Sequence, residues 1–140
     1  MAIRVAGSII GTYHPVVKSD IYVTNSEALV EGRAYYLSSG RWTKSATTAA
    51  IEAICLKAAD AGTDVLAIME LVKTGDILEA DYTGTADAAF IPGLAVAVLD
   101  ANGSNVDAAT VTGGANVLMS KDTGKLKCNF VPRKNFTEAS

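Results

Sequence analysis

The chain has 140 residues, of which 49% are hydrophobic and 19% charged, with a formal net charge of −3. That length suits one domain whose core forms without a metal or disulfide scaffold. The acidic balance argues against non-specific nucleic-acid binding, no run of about 18 apolar residues could form a membrane-spanning helix, and MAIRVAGSII does not read as a signal peptide.

From the start of the chain, Ile3, Val5 and Ile9 alternate in AIRVAGSII, a first strand or an extended arm interrupted by Gly7. His14-Pro15 ends it, because a residue before proline is pushed out of the helical region. DIYVTN puts Ile21 and Val23 on one face of a short second strand. Glu31-Gly32 then turns the chain into RAYYLSSGRWTK, the clearest hairpin. Tyr35 and Leu37 share one of its faces, Ser38-Ser39-Gly40 make the turn, and Trp42 stands on the return strand.

The next segment, SATTAAIEAICLKAADAG, fits two periods. Ile51, Ile54, Cys55 and Ala58 recur at helical spacing, with Thr47 or Thr48 as N-cap and Gly62 as the stop. At period two the same residues pair with the apolar run 65–72 as a hairpin. The flanking β pattern favours strands for 51–57 and 65–72, with one short helix within 47–62 as the alternative.

Gly75-Asp76 turns into the alternating ILEADYTG, and residues 86–89 read as a loop. Residues 93–132 then give four short runs, GLAVAVLD, VDAATVT, ANVLMS and KLKCNFVP. They are separated at Asn102-Gly103, Gly113-Gly114 and Thr123-Gly124, which is turn chemistry. RKNFTEAS reads as an exposed terminus. The expected fold is all-β: a small antiparallel β-barrel or sandwich with short hairpins, room for one short helix, and an N-terminal arm. The expected division is 1–15 as arm or first strand, 16–132 as the β-barrel domain and 133–140 as a tail.

Candidate chemistry is sparse. His14 is the single histidine and precedes a proline in a loop, so it reads as a surface residue. The run from Asp100 to Asp107 alternates oxygen ligands, but its glycine is fourth and Val111 stands twelfth, unlike a calcium loop. Thr123-Gly124-Lys125 lacks the first glycine of a phosphate loop, Met119 standing there, and has Leu126 where Ser or Thr should be. Glu70, Asp76, Glu79 and Asp81 cluster in sequence, yet solvated strand faces explain them more simply than an acid–base pair. Tyr35, Tyr36, Trp42 and Tyr82 suit core packing better than a stacking platform. Cys55 and Cys128, each in an apolar run, are expected as buried free thiols rather than a bridge. No catalytic, cofactor-binding or metal residue is assigned. Low charge with positive mean hydropathy favours an oligomer or an assembly component.

The pattern of strands and turns in EGRAYYLSSGRWTKS, ADAGTDVLAIMELVKTGDILEADYTG and GLAVAVLDANGSNVDAATVTGGANVLMS resembles the small β-barrel head decoration (capsid cement) proteins of tailed bacteriophages. The resemblance implies a non-enzymatic structural virion protein, commonly a homotrimer, that binds the major capsid protein on the capsid exterior and braces the head. It implies synthesis in the host cytoplasm, no cofactor, and neither nucleic acid nor membrane as partner. Such proteins grip the capsid with a terminal arm and use the barrel for trimer contacts. That makes Ile3, Val5, Ile9 and Ile10 the candidate capsid-contact arm, and Tyr35, Trp42 and Tyr82 the candidate core or trimer-contact aromatics. The alternative is a small carbohydrate- or peptide-binding β module of another phage or bacterial assembly. A small hydrolase ranks last, because no nucleophile–base pair is legible.

Overall fold

The computed structural model describes residues 3–47, 49–93, 95–114, 116–133 and 135–136. Among these the regular elements are all strands: β1 (Arg4–Ser8), β2 (Val17–Tyr22), β3 (Ala34–Ser38), β4 (Arg41–Lys44), β5 (Ala53–Cys55), β6 (Leu66–Leu71), β7 (Asp76–Thr83), β8 (Val96–Ala97), β9 (Val106–Asp107), β10 (Asn116–Asp122) and β11 (Lys127–Pro132). One sheet runs β1-β7-β11-β10-β8, with β9 attached to β7, and the other runs β2-β6-β5-β3-β4. All pairings are antiparallel except the β7–β9 contact.

The fold is therefore all-β and consistent with a sandwich. Of the two expected forms, barrel or sandwich, it is the sandwich that the sheets match, since neither closes into a barrel. Each sheet curls without a closing ladder: in the second a single bridge, Val23–Trp42, joins its two ends, and in the first the bridge Leu99–Val106 joins the β8 end to β9, leaving β1 at a free edge.

The ambiguous segment resolves as strand. β5 is flanked by β3 and β6, so both of its edges find ladder partners, and all three of its residues are buried. A helix there would leave the edges of β3 and β6 without those bonds, and the cost of unpaired buried backbone outweighs the helix propensity of alanine.

Two cores result. The first fills the space between the sheets and contains Ile3, Ile54, Leu78, Phe90, Leu118 and Phe130. The second lies inside the curl of the second sheet and contains Val23, Tyr35, Trp42, Met69 and Leu71. Strands β3 and β5 separate them: Ala34 and Ile54 face the first core, and Tyr35, Ala53 and Cys55 the second. In the first core the Tyr82 and Phe90 rings lie 5.1 Å apart, tilted by 49°. Trp42 is fully buried, and its indole N–H has no acceptor among the described residues. That omission costs about 1–3 kcal/mol, which burial of about 150–250 Å² of ring surface, about 4–6 kcal/mol, outweighs.

The turn after β8 joins the two halves. Asp100 Oδ1 accepts from the N–H groups of Asn102 and Ser104, both at 3.2 Å, and Oδ2 accepts from Asn105 Nδ2 at 3.3 Å. These bonds carry Gly103 onto the second sheet, where its carbonyl accepts from Ala34 N–H at 2.9 Å. Gly103 has φ +69°, and a Cβ there would lie 1.9 Å from the Ser45 carbonyl oxygen, so only glycine fits. Asn102 does not share the positive φ, so the turn centres one residue earlier than an Asn-Gly hairpin would.

Two residues of the tail are packed where an exposed terminus was expected. Asn135 is buried, and Phe136 packs on the second core with its N–H donating to Val72 O at 2.9 Å. Lys134 and residues 137–140 lie outside the described residues. Cys55 and Cys128 are buried free thiols in different cores, so they cannot bridge. Burial raises both thiols' pKa values, Cys128 to about 12.

Glu52 links β3 to the crossover between the sheets. Its N–H donates to Tyr35 O, its carbonyl accepts from Val72 N–H, and its carboxylate accepts from Leu37 N–H, all at 2.9 Å. Burial pushes its pKa above the ordinary value, with the Leu37 bond opposing. A raised folded-state pKa means stability that is full while the group is neutral and is lost as pH rises through that pKa. Glu52→Gln is therefore expected to stabilise the protein at neutral pH, with the advantage vanishing below about pH 4. Urea denaturation of both proteins across that range checks it; an advantage independent of pH would contradict the assignment.

Candidate interaction surface

The chain leaves β1 beside the start of β7, with Gly7 opposite Ile77 and Ser8 opposite Asp76. A bulge between Val5 and Gly7 shifts the register there. Because side chains alternate with period two, a one-residue slip turns everything beyond it to the other face. Before the slip Ile3 and Val5 point into the first core, at 1% and 9% exposure; Ile9 and Ile10, past the end of β1, stand 55% and 69% exposed. The four apolar residues expected to act together as an arm are divided. Ile3 and Val5 are core residues of an integral strand, which removes them from any contact surface, and only Ile9 and Ile10 remain displayed.

The displayed pair is pinned. Ile9 N–H donates to Gly75 O at 2.8 Å, and Ile10 N–H donates to Ser8 Oγ at 3.3 Å. The Ile10 side chain lies over the backbone of Gly75, where an added Cβ would come within 2.7 Å of its Cγ1. Gly75 has φ +86°, so it serves both the turn and this close approach. Further on, Tyr13 Oη donates to Glu70, Lys73 Nζ sits 5.7 Å above the Tyr13 ring, and Val16 O accepts from Leu71 N–H at 2.8 Å. Burial, the bond to Glu70 and the charges of Glu70 and Asp76 all push the Tyr13 hydroxyl above its ordinary pKa, so it stays a donor. Residues 9–16, which themselves lead from β1 in one sheet to β2 in the other, thus form a strap fastened across the connection from β6 to β7.

Beside the pair lies a groove of about 240 Å³, walled by Ile9, Ile10, Val117, Met119, Val131 and Pro132, with Arg133 at its rim. In β10, Asn116 and Leu118 point inward, while Val117 is half-buried and Met119 is 42% exposed. The outward positions in the first half of that strand are thus apolar, while Ser120, Lys121 and Asp122 in its second half are exposed and polar. Met119 was legible as a surface residue from the alternation in ANVLMS, since Leu118 claims the interior.

The other sequence candidates scatter. Tyr35, Trp42 and Tyr82 are inside the chain's own cores, which removes any stacking platform. Tyr35 Oη accepts from Val30 N–H and donates to Ala28 O, tying down the segment before β3. The four clustered carboxylates take separate partners: Glu70 has Tyr13, Asp76 has Lys73, Glu79 has Arg4, and Asp81 has Lys127. His14 is exposed, and the Asp100 carboxylate is occupied by its own turn.

No family model matches the chain. No curated protein matches it either.

The division at the bulge has a direct consequence for stability. Ile3→Ala is expected to cost about 2–5 kcal/mol, as a core truncation. Ile9→Ser with Ile10→Ser should change stability by no more than about 0.5 kcal/mol each. Equal losses in urea denaturation would contradict the placement of these residues.

Proposed function

We propose that this protein is a structural, non-enzymatic component of a phage particle. It binds the major capsid protein on the outer surface of the head, as a homotrimer, and stabilises the shell. The observation that carries the reading is the exposed pair Ile9 and Ile10, held through their N–H groups by Gly75 O and Ser8 Oγ beside an apolar groove. A contiguous apolar surface on a charge-poor domain marks a site of association. The likeness of the hairpins and glycine-punctuated strands to capsid cement proteins supplies the partner. The contact differs from a flexible arm: the two isoleucines are already ordered, so docking them forfeits little chain entropy.

Co-sedimentation with purified heads of the phage whose genome encodes the chain tests this. The parent protein should pellet with the heads. Ile9→Ser with Ile10→Ser should lose about 2–4 kcal/mol of binding, more than tenfold in Kd, while remaining folded. Parent protein left in the supernatant at saturating head concentration would overturn the proposal.

A further inference from the structure

An asparagine followed by glycine is prone to cyclisation, because a residue without a Cβ leaves its amide nitrogen free to reach the side-chain carbonyl. Asn102-Gly103 has that sequence, and the Asn102 side chain is exposed to water. The nucleophile is not free. Gly103 N–H donates to Asp100 O at 3.2 Å, Gly103 O accepts from Ala34 N–H at 2.9 Å, and the Ser45 carbonyl oxygen fills the space beside its α-carbon. Cyclisation must swing the peptide plane between the two residues toward Asn102 Cγ. It cannot do so while Gly103 is bound to β3 and wedged against Ser45.

We infer that Asn102-Gly103 is a deamidation site gated by the docking of this turn onto β3 and the residue after β4. When the turn undocks, solvent base removes the Gly103 amide proton and the nitrogen attacks Asn102 Cγ. The N–Cγ bond forms, the Cγ–Nδ2 bond breaks, and ammonia leaves with a proton from solvent. Water then opens the five-membered ring at either carbonyl, giving aspartate or isoaspartate at position 102. The change is one-way. Aspartate brings a second carboxylate beside Asp100, and isoaspartate lengthens the main chain by a methylene, so Gly103 O no longer meets Ala34 N–H. Damage is confined to molecules whose two halves have separated at this turn, by the logic that governs amide exchange in locally opened states.

The test is peptide-mapping mass spectrometry of the full chain, incubated at mildly alkaline pH with and without urea sufficient to unfold it. Conversion at Asn102 should be at least about tenfold slower in the native protein. Asp100→Ala removes the carboxylate that shapes the turn. It should raise the native rate roughly fivefold or more, the equivalent of about 1 kcal/mol, and leave the rate in urea unchanged. Equal rates with and without urea would overturn the inference, as would a folded Asp100→Ala protein that reacts no faster than the parent. Absence of conversion in urea would overturn the chemistry itself. If Asp100→Ala does not fold, the urea comparison on the parent chain decides alone.

Discussion

The burial of β5 and the start of β3 on both faces is the constraint on which the rest of the molecule depends. A sheet in a small domain ordinarily keeps one face in water, and its strands alternate apolar and polar residues. Here Ala34 and Ile54 face one core while Tyr35, Ala53 and Cys55 face the other, so β5 and the start of β3 carry no outward side. Space on both sides is short, which is why alanine stands at positions 34 and 53, each with no exposed surface. A core on each side also explains how strands of three and five residues can sit at the centre of the fold.

The two halves are tied to each other at this wall and at the end of β6. Gly103 docks on Ala34, the strap 9–16 is fastened to Glu70 and Leu71, and Phe136 bonds to Val72. The exposed isoleucines are a by-product of that arrangement. Ile3 and Val5 complete the first core before the bulge in β1, and the chain then leaves the strand after Ser8 so that Ile9 and Ile10 stand outside, with Ile10 over Gly75. The surface proposed for capsid contact is thus fixed to the junction of the sheets, where ties from both hold it.

Much of this was legible from residues alone. The β3–β4 hairpin was plain because aromatic alternation and Ser39-Gly40 agree, and Ser38 does pair with Arg41 across a two-residue turn. The strand at 51–57 was a closer decision, settled by neighbours on both edges that no local propensity reveals. A bulge leaves little local trace, so the reversal between Val5 and Ile9 was hidden, and with it the division of the supposed arm. Thr123-Gly124 was rightly a turn, but the left-handed residue is Leu126, because Asp122 organises the loop by accepting from Gly124 and Lys125 N–H. The runs GLAVAVLD and VDAATVT shrink to two-residue strands, since β8 and β9 serve to curl the first sheet instead of extending it. Phe90 and Phe136 gave no periodic signal, and both are packed by long-range contacts.

A shared wall requires that the two cores unfold together, and the cysteines report on each separately. Cys128 lies in the first core and Cys55 in the second, and both react only when exposed, because burial keeps their thiols protonated. The decisive measurement is brief alkylation across a urea series, with the two sites quantified by mass spectrometry. The account predicts coincident labelling curves, as in a single cooperative transition. Labelling of Cys55 at clearly lower urea than Cys128, or the reverse, would show that one core survives without the other and would contradict it.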